Sequence, residues 1–270
     1  MSSVSDRERA VAAQFDGAAA AASYAASHDG DGASARFFRT RIALVERALR
    51  AAPGGSLLDV GCGPGMMVRA VLTARPGDFT VSALDRSQSM VEACIRNTDK
   101  AGLVRAAVGR VEQMPFDDAE FDVVIGMGVL EYTAARTALA EIARVTRPGG
   151  LVLLTMLNSA SPYRFVQFRV FWPMLRTLRR VETLIGVPPE KRHAAIEPGI
   201  DLHSERELRG MLTEAGLRVH DTAYFDATLL VPPLDRVLPR VSTEWKRTTP
   251  NHGWRKRVST AFLLTARKDA

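Results

Sequence analysis

Cysteine is nearly absent: Cys62 and Cys94 are the two in 270 residues. Neither has a partner at metal-ligand spacing, so a disulfide framework and a zinc site are both excluded, and a reducing, cytoplasmic setting is expected. Aromatic residues make up 7%, too few for an aromatic-rich binding module. No apolar run approaches the length of a membrane-spanning helix. The Ala-rich run near the N-terminus is preceded by mixed charges and interrupted by Asp16, which reads as a helix and not as a secretory signal. A dinucleotide-type G-x-G-x-x-G is missing too: counted from Gly61, the third glycine position holds Met66. Nor does Lys-Ser/Thr follow the last glycine of that loop, which excludes a phosphate-binding P-loop.

Hydrophobic residues, at 46%, are enough for a sizeable core. Net charge is +6 and the pI about 9.7. The excess lies mainly in Arg164–Arg192 and Arg236–Lys268. It reads as solvated helix faces, or as a surface for nucleic acid or an anionic membrane.

From "SLLDV" (residues 56–60) onward the chain alternates. Strands are expected at "FTVSALD", "VRAAVG", "FDVVIGMG" and "LVLLTML", with helices at Met66–Ala74, Ser87–Asn97 and Ala134–Thr146. A helix capped by Ser204, then "LRVHDTAYF" and "STAFLLTAR", complete the pattern. Strands alternating with helices imply an α/β fold with a doubly wound, mostly parallel sheet. The expected organisation is an N-terminal helical lid (1–52), a ligand-binding core (53–158), a cap insertion (159–203) and the rest of the core (204–270), with a second insertion at 226–257.

The loop in "LLDVGCGPG" follows a strand and opens a helix, a generic cradle with amides facing a ligand. Asp59 precedes it, giving D-x-G-x-G-x-G, and Asp85 ends the next strand, where an acid can grip both ribose hydroxyls. "VEQMPF", "FDVVIG" and "EIARVTRPGGLVLLT" follow in order. Together these motifs resemble the class I S-adenosylmethionine (SAM)-dependent methyltransferases, in particular the group acting on quinones and natural products. The resemblance implies a Rossmann-like seven-stranded sheet whose last strand, Ser259–Arg267, is antiparallel. It implies SAM as cofactor and S-adenosylhomocysteine (SAH) as product.

Carried to this chain, the resemblance assigns Asp59, Gly61, Gly63 and Gly65 to the methionine and ribose part of SAM. Asp85, with Arg86 beside it, falls to the ribose hydroxyls, Met90 to the adenine face, and Val111 and Glu112 to the adenine edge. Met127 would lie along the methionine moiety and Tyr24 would close over the sulfonium. Plainer roles compete: Asp59 bracing the loop, Met90 as core, Tyr24 as part of a low-complexity run. Arg110 departs from the pattern, which has an acid there to accept from the adenine amino group. Arginine only donates, so backbone groups of Arg110–Glu112 would read the ring, or the guanidinium would cover its face.

Methyl transfer needs a general base only when the nucleophile keeps its proton. Candidates are Glu131 and Tyr132, after the fourth strand, and His193, His203 and His220; His203 is singled out because it precedes the Ser204 cap. The Asn/Asp-Pro-Pro-Tyr/Phe signature of adenine or glutamine N-methylation is absent, since "MGVL" follows "FDVVIG". In the first insertion Phe165, Phe168, Trp172, Leu175 and Leu178 fall near helical spacing among arginines, with Pro173 expected to kink or restart the helix. Such a stripe reads first as cap packing, second as a lid on an apolar pocket, third as a helix lying on an anionic membrane. The sequence therefore points to methylation of a small, largely hydrophobic metabolite in natural-product, quinone or lipid-like biosynthesis, oxygen favoured over carbon or nitrogen. A nucleic-acid partner is not favoured. The rivals are an RNA methyltransferase and a non-catalytic SAM-fold protein that binds a partner.

Overall fold

The computed structural model describes residues 15–26, 33–98, 103–188, 192, 200–227 and 253–269. Among them, seven strands form one sheet: β1 (Gly55–Val60), β2 (Phe79–Asp85), β3 (Leu103–Val108), β4 (Phe121–Met127), β5 (Thr146–Leu157), β6 (Leu217–Ala227) and β7 (Ser259–Lys268), in the order β3-β2-β1-β4-β5-β7-β6. β7 runs antiparallel to both neighbours, and the pairs from β3 to β5 are parallel. The expected sheet and its odd strand are both present.

The strands are buried on both faces, which explains their unbroken apolar runs. Leu57, Leu153 and Leu263 point to one core with Val45, Leu49, Val68 and Val71. Their neighbours Leu58, Leu154 and Leu264 point to the other, with Leu139, Ile142, Leu208 and Leu212. The first core holds α2 (Ala33–Leu49) and α3 (Met66–Ala74); the second holds α5 (Ala135–Val145) and α8 (Glu205–Glu214). Two further helices, α1 (Ala18–Ala26) and α4 (Gln88–Thr98), pack on each other beside β3. Ser87 caps α4, its hydroxyl accepting from the Met90 amide at 3.4 Å. Ser204 and Glu207 form a reciprocal capping box on α8.

The strand order reverses direction at β1, which lies between β2 and β4. At such a switch point the flanking loops leave on opposite faces and open a crevice beyond the carboxyl ends of the strands.

The first insertion is more regular than its sequence suggests. It runs as α6 (Pro162–Val166), a π-helical turn (Gln167–Phe171) and α7 (Trp172–Leu184). Pro173 falls in the first turn of α7, where its missing N–H costs little. The expected packing stripe is corrected: Phe171 is buried, whereas Phe165 and Leu178 are exposed. The π turn inserts an extra residue and shifts the phase of everything after it. Most of the second insertion lies outside the described residues. A short helix, α9 (Arg255–Val258), leads from its end into β7.

Candidate active site

A cavity of about 390 Å³ opens at the switch point. The glycine loop, the ends of β2 and β4 and the residues after them line one side; α1 and α2 line the other. Of the residues singled out in the sequence, Tyr24, Gly61, Gly63, Asp85, Arg86, Met90, Arg110, Val111, Glu112, Met127, Glu131 and Tyr132 reach it. A smaller cavity of about 40 Å³ adjoins it through shared residues and is lined by Asp59, Arg41, Tyr24, Met66 and Met67.

The loop geometry follows from its glycines. Gly61 and Gly63 have φ of +70° and +51°, and a Cβ on Gly61 would lie 2.8 Å from Val129. Gly65 is different. It caps α3 with φ +81°, but its missing Cβ makes room for Cys94 at 2.7 Å, and it lines neither cavity. What the structure shows for it is a packing role, the close approach of α3 and α4. The Cys62 thiol is pushed well up by its hydrogen bond with Cys94 and by burial, which keeps it unreactive.

Asp85 accepts from the Gly63 amide at 2.9 Å and the Ser87 amide at 3.0 Å, one per oxygen. Burial raises its pKa against these bonds. Asp59 is 2% exposed, and its Oδ2 has no hydrogen-bond partner. Burial, then the charge of Asp85, push its carboxyl up to about 8. A buried acid with an unmet oxygen beside a small cavity is a place for a cationic group.

Aromatic side chains close the far wall. The Phe15 ring stands edge-on to Tyr24 at 6.0 Å and to Tyr132 at 5.3 Å. Tyr24 meets Phe38 at 5.7 Å and lies over Gly63, whose Cβ would sit 3.6 Å from its ring. Met90 packs with Ala21 and Ala93 and also lines the cavity. Arg110 pairs with Glu112 at 3.6 Å, its side chain half exposed, so it stands at the cavity's edge.

Glu131 sits in the 3-10 turn after β4, 3% exposed. Its Oε1 accepts from the Leu157 amide at 3.1 Å, and burial raises its pKa despite the charges of Arg41 and Arg164. Burial, then the charge of Glu131, hold the Tyr132 phenol well above its ordinary range. Tyr132 therefore keeps its proton and suits a donor, not a base. The chain does return here, as the Asp201 amide donates to the Glu131 carbonyl at 2.8 Å. Yet neither His203 nor His220 lines the cavity. His193 lies outside the described residues.

Arg41, Phe37 and Phe38 were not singled out in the sequence. All three project from α2 into the cavity. Arg41 is 9% exposed, lies 4.8 Å over the Phe38 ring and lines both cavities. The available signal was an arginine on the apolar side of an amphipathic helix.

Comparison with known proteins agrees with this architecture. A family described as "Methyltransferase domain" matches residues 58–154. The "Ubiquinone/menaquinone biosynthesis C-methyltransferase UbiE" of Geotalea daltonii is 31% identical over 68% of this chain and 78% of its own length. An "Uncharacterized 37.1 kDa protein in transposon TN4556" of Streptomyces fradiae is 38% identical over 40% of this chain, which spans 31% of that relative's length. Magnesium protoporphyrin IX methyltransferase from Synechocystis, solved with SAH, shares the fold at a TM-score of 0.60 and 16% identity, covering 97% of this chain and 100% of that one. The fold and its switch-point crevice define a Rossmann-like nucleoside-cofactor protein. The chain belongs to the class I SAM-dependent methyltransferases, and SAM is its cofactor.

Proposed function

We propose that this protein methylates a small apolar phenol or hydroquinone, at oxygen or at an adjacent ring carbon. The observation carrying this reading is that a single cavity runs from Asp85 and Arg110 to an aromatic wall ending at buried Glu131. The names of the quinone methyltransferase relatives favour the same acceptor class. The residues present fit the cofactor: Asp59 offers an unmet buried oxygen, and Gly61 and Gly63 of the loop line the cavity with their backbone.

In this reading, SAM supplies an electrophilic methyl group on a sulfonium. Asp85 takes the ribose hydroxyls. Asp59 takes the ammonium and Arg41, lining the same small cavity, the carboxylate. Met90 and Val111 flank the adenine, and the Arg110–Glu112 pair limits its edge. Tyr24 covers the loop and excludes water. Phe15, Phe37, Phe38 and Leu157 orient the acceptor; alignment of this kind supplies roughly 7–11 kcal/mol of a barrier. Glu131 removes the acceptor's proton, its raised pKa making it the stronger base, while Tyr132 donates a hydrogen bond to the acceptor. Acceptor oxygen and carbon are alternatives for the same phenolate.

Calorimetric titration with SAH, comparing wild type with Asp85→Ala, tests the cofactor half. Micromolar binding weakened about a hundredfold is expected, since two bonds to a charged group are lost. No binding by wild type would sink the reading. Turnover of hydroquinones and phenols with methyl-labelled SAM tests the acceptor half, and transfer confined to polar amines or to RNA would overturn it.

A further inference from the structure

We propose that the outer face of the 162–185 helical run docks on an anionic lipid surface. Val170, Met174, Leu178, Val181 and Ile185 follow at spacings of four, four, three and four, which places them on one face of a helix. All five are exposed, Ile185 at 71%, and Leu184 beside them is 85% exposed. The π turn brings Phe165, five residues before Val170 and 60% exposed, onto the same side. The inward face is a different set, with Phe171 and Glu182 buried. An apolar stripe this long on a described surface marks an interaction site.

The charge chooses the occupant. Arg169, Arg176 and Arg180, at spacings of seven and four, line one flank of the stripe; Arg169 and Arg180 are exposed and Arg176 is half-buried. Glu182 is the one acid between Ser161 and Leu184, and it is buried. The outer face is thus apolar and cationic with no exposed acid. α9 packs beside α6, and exposed Trp254, just before it, and Arg257 within it add to this surface. Aliphatic and aromatic groups next to arginines suit the boundary between acyl chains and anionic headgroups.

Three other occupants fit less well. A second copy meeting face to face with its helix antiparallel across a two-fold axis would set arginines against arginines. The stretch 228–252 of this chain carries four Lys or Arg against two Asp or Glu, so it offers no complementary charge. RNA would match the arginines but leave the aliphatic stripe in water.

Flotation of the full chain with phosphatidylcholine vesicles, with and without phosphatidylglycerol, tests the proposal at low salt. Binding to the anionic vesicles about tenfold or more above the neutral ones is expected. Met174→Glu/Leu178→Glu and, separately, Arg176→Glu/Arg180→Glu should each abolish it without changing the thermal midpoint, since these side chains lie outside the core. The proposal is overturned if wild type does not float, if flotation survives both variants, if light scattering shows a dimer that Met174→Glu/Leu178→Glu dissociates, or if RNA is retained and lipid is not.

Discussion

Asp59 and Asp122 occupy opposite ends of neighbouring parallel strands and meet opposite fates. Asp122, near the start of β4, has its Oδ2 bonded by the Ser56 amide at 2.9 Å, the Ser56 hydroxyl at 2.8 Å and Arg147 at 2.6 Å. Burial alone would raise its pKa, but Arg147 and Ser56 outweigh it and the net shift is downward. Asp59, at the end of β1, has an oxygen with no such partner and a raised pKa. Glu205, bonded by Tyr224, Lys256, Arg209 and Thr222, follows the Asp122 pattern, held down to about 2 although burial pulls the other way. At the amino end of β4, Asp122 helps to hold the sheet together. At the carboxyl end of β1, Asp59 is kept in an unsatisfied, costly state that a ligand can relieve.

Substitutions can break this comparison. The largest effect is expected for Glu131→Gln, which keeps the shape of the side chain but removes the base. Single-turnover rates should fall by about 10²–10⁴; an unchanged rate would remove Glu131 from the chemistry. Asp59→Asn should come next, weakening SAH about tenfold or more in calorimetry through loss of a charged partner. The same variant should melt higher than wild type without ligand at neutral pH, because the cost of protonating on folding a carboxyl that is ionised in the unfolded chain is removed. The pH dependence sharpens this. With a folded pKa of about 8, above its unfolded value, Asp59 contributes stability below about pH 4 that is lost as pH rises through 8. The ligand-free melting temperature should therefore fall over that window, less steeply in Asp59→Asn, while SAH affinity rises. The smallest effect is expected for Asp122→Ala: a loss of about 1–2 kcal/mol in denaturant unfolding from its missing hydrogen bonds, with SAH affinity unchanged. Equal signs for the two aspartates in unfolding would end the contrast.

Much of this was legible in the sequence because its signals are local. A strand, a glycine loop and a helix lie within Leu57–Ala74, and Asp85 closes the next strand, so their meeting at one crevice follows from parallel topology. Arg41 and Phe38 gave no such signal. They reach the site because α2 packs beside α3 and lines the same cavities as the glycine loop, a relation between elements set by the fold and not by local sequence. Gly65 looked like its neighbours, yet the approach of Cys94 from α4 decides its role. The return of the chain beside the Ser204 cap brings Asp201 to Glu131, while His203 does not line the cavity.

The π turn at Gln167–Phe171 acts as a phase setting for the whole cap. An α-helix advances about 100° per residue. Deleting a single residue from the turn would let the run continue as plain α-helix and rotate Trp172–Leu184 by roughly that angle relative to α6. Aliphatic side chains would swing toward the body and the buried Glu182 would swing away from its place. The outward chemistry of this helix is thus held by one residue's worth of backbone, so a short deletion there could change what the cap shows to its surroundings while leaving every strand of the sheet intact.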